Sequence, residues 1–100
     1  MAFEQAVAVG DQPRACTLLA PATRRQLEQD ARQSCPQALG SEQLPPAGSL
    51  RDVRAYGRQA MARMSGDTLF LSLFPDGWKV VAAGCTPQSD RPYQCLVKGG

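Results

Sequence analysis

Cys16, Cys35, Cys85 and Cys95 are the residues best equipped for chemistry in this sequence, and no histidine accompanies them. Thiolates bind zinc, act as nucleophiles, shuttle electrons or pair as disulfides. Structural zinc sites draw on short paired knuckles, whereas successive gaps here are 19, 50 and 10 residues. A redox dithiol uses C-x-x-C spacing, which does not occur. A Cys–His nucleophile and an imidazole metal site both require the missing histidine. Two disulfides remain, and with them a life outside a reducing cytosol. The rivals are four free thiols in a cytosolic protein and a single site made by all four thiolates.

Four cysteines allow three connectivities. Cys16–Cys35 and Cys85–Cys95 are favoured, because the first two sit in adjacent helical segments and the last two flank a fold-back loop holding Pro87 and Pro92. Each bridge would staple a region poor in bulky hydrophobes and contribute roughly 2–3 kcal/mol. No metal and no cofactor is expected.

The nine carboxylates offer little acid–base chemistry. Glu28 and Asp30 fall on the wet face of a helix, Asp52 and Asp67 at strand ends, and Asp11, Asp76 and Asp90 at caps or turns. None lies in an apolar stretch where burial would raise its pKa; Glu4 beside Phe3 comes nearest. The D-x-D-x-D-G spacing of a calcium loop is absent. The expectation is a protein that is not an enzyme.

The elements that position these residues divide the chain in two. Residues 1–44 read as helical. Phe3, Ala6 and Val7 share a helical face that Gly10 ends. Asp11 caps a segment with Pro13 in its first turn, where Cys16, Leu19 and Ala20 recur at helix spacing until Pro21 breaks it. Thr23 with Gln26 forms a capping box opening a helix to about Arg32. Pro36 halts it, and a turn of helix over 37–44 can follow. Residues 45–49 read as a linker. Residues 50–100 alternate with period two: strands at 50–56, 58–64, 67–74 and 78–83, then a disulfide-closed tail with at most a short edge strand at 94–98. Turns fall at Ser65-Gly66 and Pro75-Asp76-Gly77. This is a single α+β domain, its N-terminal helices packed on a C-terminal four-stranded antiparallel meander.

Bulky core formers are scarce: among 100 residues there are fourteen alanines and no isoleucine, so cross-links help a small core. A net charge of +2, carried by nine Arg and two Lys against nine acids, is too weak for a nucleic-acid partner or a charged membrane surface. Neither a signal peptide nor an apolar run long enough to span a membrane is present, while disulfides need an export route, so an export signal or lipid anchor is expected upstream of Met1.

The order of elements, and the hairpin Pro75-Asp76-Gly77-Trp78-Lys79-Val80 in particular, resembles the cystatin-like roll of the nuclear transport factor 2-like superfamily. Phe3 to Leu27 is similar to the N-terminal stretch of small secreted or lipid-anchored bacterial proteins of that class. The resemblance implies a minimal roll, short for the full cone, and an extracytoplasmic place at the cell envelope. Some members of that superfamily are enzymes using Asp or Glu.

Pairing Phe74 with Trp78 across their turn puts Phe70, Phe74, Trp78, Val80 and Ala82 on one face, with Met61 opposite Phe70. Ala60, Ala62, Leu69, Leu71, Leu73, Val81 and Ala83 take the other. Both faces are apolar, and one must lie under the helices. The other is either covered by the N-terminal segment and linker or marks an interface. The expected interaction surface is Met61, Phe70, Phe74 and Trp78, for a protein partner or self-association. A small apolar ligand held between helices and sheet is the second reading.

Overall fold

The computed structural model describes residues 2–42, 44, 48–89 and 91–98, with backbone alone at 91 and 92. It is α+β: helices α1 (Ala2–Ala8), α2 (Gln12–Thr17), α3 (Pro21–Ala31) and α4 (Cys35–Ser41) precede strands β1 (Leu50–Tyr56), β2 (Gln59–Met64), β3 (Thr68–Phe74), β4 (Gly77–Gln88) and β5 (Arg91–Lys98). The strands form one antiparallel sheet in the order β1-β2-β3-β4-β5.

Local chemistry explains the helix ends. Gly10, at φ 77°, closes α1 with a pair of bonds, Asp11 N–H to the Ala6 carbonyl at 2.8 Å and Gly10 N–H to that of Val7 at 3.1 Å. Asp11 then opens α2, its Oδ1 accepting from the Arg14 N–H at 3.3 Å. The two later prolines start helices rather than stop them. Pro21 and Pro36 occupy the first turns of α3 and α4, where a missing N–H costs nothing. Thr23 is therefore not a cap: it is 1% exposed, and its hydroxyl donates to the Val81 carbonyl at 3.1 Å, fastening α3 to β4. Glu28 is likewise drawn off the wet face, and its Oε2 accepts the Cys35 N–H at the start of α4 at 2.9 Å.

The fifth strand corrects the expected four. β4 runs to Gln88 and returns as β5, so the tail is a hairpin. Two prolines had hidden it. Pro87 sits at a register shift between Thr86 and Gln88, and Pro92 lies on an edge strand; both are places where a strand tolerates proline. The expected linker falls partly at 45–47, outside the described residues, as does Asp90. Cys16 is bonded to Cys35 and Cys85 to Cys95, which uses all four thiols and removes the thiolate metal site.

The core lies between helices and sheet. Phe3, Leu19, Leu27 and Leu39 meet Ala62, Leu69, Leu71, Val80 and Val97, all buried. Where β5 ends opposite Ala82, residues 18–20 take over beside β4: Val80 N–H donates to the Leu18 carbonyl and Ala20 N–H to that of Val80, both at 2.8 Å. Among the described residues no helix is long and apolar enough to cross a membrane.

Candidate functional site

The face of the sheet turned away from the helices carries a concave apolar surface. Its construction starts at the β1–β2 turn, where Gly57 and Arg58 leave Tyr56 opposite Gln59. Alternation then sets Gln59 and Met61 on the outward side of β2, because Ala60 and Ala62 face inward with buried Leu71 and Leu69. Phe70 stands directly opposite Met61 and Ser72 opposite Gln59. From β4 comes Val81, the extra residue between Leu71↔Val80 and Phe70↔Ala82. The resulting depression has a volume of about 380 Å³ and is lined by Tyr56, Gln59, Met61, Phe70, Ser72 and Val81, together with Ala60 and Leu71 of the same strands.

Tyr93 closes on this surface from the other end of the sheet. Phe70 lies level with Ala82, and Ala82 with Lys98, so Tyr93 is five residues further along β5. In a flat sheet that is about 17 Å. Yet the two rings meet edge to face with centroids 5.2 Å apart. The β4–β5 hairpin must therefore bend back. Gly84, at φ 65°, sits in the bend, where a Cβ would come 2.8 Å from Leu44 Cδ2. The half-buried Asp67 secures the same place: Oδ1 accepts from the N–H groups of Thr68 at 2.7 Å and Cys85 at 2.9 Å, and Oδ2 from that of Gly84 at 3.0 Å.

The depression offers apolar area with one amide and two hydroxyls, a set suited to holding matter rather than transforming it. On the neighbouring β1, where Arg54 stands opposite Met61, the Asp52 carboxylate accepts from Arg54 Nε at 3.1 Å. Asp52 first, and then Tyr56, hold that guanidinium still more firmly charged. A second concavity of about 230 Å³ lies between Thr17, Pro21, Arg24, Phe74, Asp76 and Lys79. Its charges already serve the fold: Lys79 Nζ donates to the Thr17 carbonyl at 3.0 Å and pairs with Asp76 at 3.3 Å, and Arg24 approaches Glu28 at 4.0 Å.

The four residues expected to share one surface are divided. Met61 and Phe70 line the depression, Phe74 lines the second concavity, and Trp78 stands apart, 41% exposed. For Trp78 the cause is the turn after β3, which has two residues, not three: Phe74 pairs with Gly77 and Leu73 with Trp78. That one-residue shift moves Val80 to the buried face, and the bulge at Val81 restores Ala82 to the outer one. Tyr56, Val81 and Tyr93 are additions. Tyr56 was reachable by counting across the Gly57-Arg58 turn; Tyr93 was not, since its position depends on the bend at Gly84.

Glu4 is half-buried on α1. Burial raises its carboxyl above the ordinary value, and the negative charge of Asp67 pushes the same way. It does not line either concavity.

No family model matches the chain, and no curated protein or solved structure matches it.

Proposed function

We propose that this chain is a non-enzymatic, exported bacterial binding domain of minimal cystatin-like form. It would work at the cell envelope by seating a bulky apolar side chain of a protein partner in the depression around Met61 and Phe70. The depression carries this reading: it is apolar and concave, lies on the face the helices leave open, and has exposed Tyr56 at its mouth. Aromatic and methionine side chains are the usual anchors of such contacts. Two disulfides support an oxidising, extracytoplasmic compartment.

A small apolar ligand is the second reading, favoured by a volume of about 380 Å³ that falls within the range of ligand pockets. The test uses an anilinonaphthalene sulfonate dye and dodecanoate as probes. Dye fluorescence that rises with the native protein, and is lost in Met61→Glu and Phe70→Asp variants of unchanged circular dichroism, places the apolar site at the depression. Saturable one-to-one heat with dodecanoate selects the small-ligand reading; its absence, with the dye still bound, selects the protein partner. Dye binding unaltered by both substitutions rejects the site.

A further inference from the structure

The free edge of β1 matches itself. β1 pairs with β2 on one side, and among the described residues nothing pairs with its other side. Leu50, Val53 and Tyr56 on this strand are 51%, 52% and 69% exposed. Exposed edge strands are ordinarily guarded by proline, charged side chains, a bulge or a covering element. The opposite edge is so guarded, since β5 carries Pro92 and Lys98 and packs against α3. β1 has no proline, and its exposed Val53 shows that no described helix covers it. Its guards are a bulge near Leu50 and the charges of Arg51, Asp52 and Arg54, which are of both signs and so repel a second edge only in the wrong register.

Laid antiparallel on a second copy with the two-fold axis at Val53, the segment Leu-Arg-Asp-Val-Arg-Ala-Tyr is complementary to itself. Val53 meets Val53 of the second copy. Asp52 then faces Arg54 of the second copy on one side of the axis, and Arg54 faces Asp52 on the other. Within one chain Asp52 and Arg54 already lie together at 3.1 Å, with side chains 38% and 57% exposed. Two copies therefore bring four alternating charges together on one face.

Backbone polarity agrees with this register. Tyr56 and Gln59 close a two-residue turn, so their main-chain groups bond to each other across it. Direction alternates along a strand, so Tyr56 and Arg54 point theirs at β2, while Ala55 and Val53 point theirs outward. Val53 against Val53 is thus a hydrogen-bonding pair. The flanking Asp52–Arg54 positions are non-hydrogen-bonding pairs, where facing side chains come closest. The register shift between Leu50 and Asp52 limits the ladder at its far end.

We infer that β1 is a homodimerisation edge, joining two copies through antiparallel β1–β1 pairing centred on Val53 into one continuous ten-stranded sheet. The interface is narrow, so the dimer is weak and depends on concentration.

Sedimentation equilibrium up to about 1 mM protein, where weak complexes populate, tests it. The native chain should rise towards twice its monomer mass. R54D and D52R should each stay monomeric, because each sets like charges opposite each other. An equimolar mixture of D52R and R54D should form a heterodimer, and the double variant D52R/R54D should dimerise again. Val53→Pro, which removes an outward N–H without touching the bonds to β2, should be a folded monomer by circular dichroism. A native chain monomeric throughout, single variants that dimerise like the native chain, or a mixture that stays monomeric would overturn the inference.

Discussion

The two ends of the sheet are built on opposite plans. At the β4–β5 end a disulfide crosses the hairpin, α3 packs against both strands, Asp67 ties down the bend and Tyr93 is folded onto Phe70. At the other end β2 still buries Ala62 and Met64 in the core, but among the described residues no disulfide reaches β1, which is exposed along almost its whole length. Small domains with few bulky side chains cannot cover every strand. This one concentrates its covering elements at one end and leaves the other presentable. The depression lies between, bounded by Tyr56 from the open end and Val81 from the closed one.

The contrast can be broken most severely in the core. Leu69 is fully buried, so Leu69→Ala should cost about 2–5 kcal/mol. Val53→Ala on open β1 should cost about 0.5 kcal/mol or less in dilute solution. Urea denaturation of both variants measures the gap, and equal losses would mean that β1 is covered after all.

Next in size is the bridge between Cys16 and Cys35, both buried and 19 residues apart. Replacing both with serine should destabilise by about 3 kcal/mol, read as a lower melting temperature. That bridge holds the helical layer, so the β1–β2 end should change least in amide exchange.

Gly84→Ala comes third, at about 1–3 kcal/mol, since it forces a side chain into positive φ and against Leu44. Besides stability, it should loosen the contact of Tyr93 with Phe70, visible as altered tyrosine and phenylalanine ring shifts by NMR. A variant with native stability and native ring shifts would show that the bend does not depend on glycine.

The smallest effect concerns pH. Glu4 has a raised carboxyl pKa in the fold, chiefly from burial, against an ordinary value of 4.5. Between the unfolded and folded values the unfolded chain holds fewer protons, so stability falls as pH rises through that window and then levels. Below the ordinary value the contribution is fully present. Glu4→Gln stays neutral throughout, so its denaturation midpoint should lack this decline. A parallel course for both proteins would assign the slope to other groups.

Much of the strand half was legible because alternation is a local property. The bounds of β1 and the register of Met61 against Phe70 follow from alternating residues and a two-residue loop at Ser65-Gly66. The roles of Pro21 and Pro36 were not legible by that route, because proline both ends one helix and begins another, and only the packing of α3 and α4 distinguishes the two. Thr23 shows the same limit. Its spacing to Gln26 spells a cap, but a part-buried carbonyl on β4 accepts the hydroxyl instead. The β3–β4 turn misled by a single residue, enough to move both Trp78 and Val80 to the opposite face.

By itself the sequence determined the α+β order, the four cysteines as two local staples and an apolar face on β2 and β3. Those depend on residue type and short spacing, which act within a few residues. Tertiary structure alone decided that Tyr93 reaches Phe70, that Val81 turns outward and that β1 stands uncovered. Each of these depends on a bend, a bulge or the reach of the helical layer, where separate parts of the chain compete for the same space.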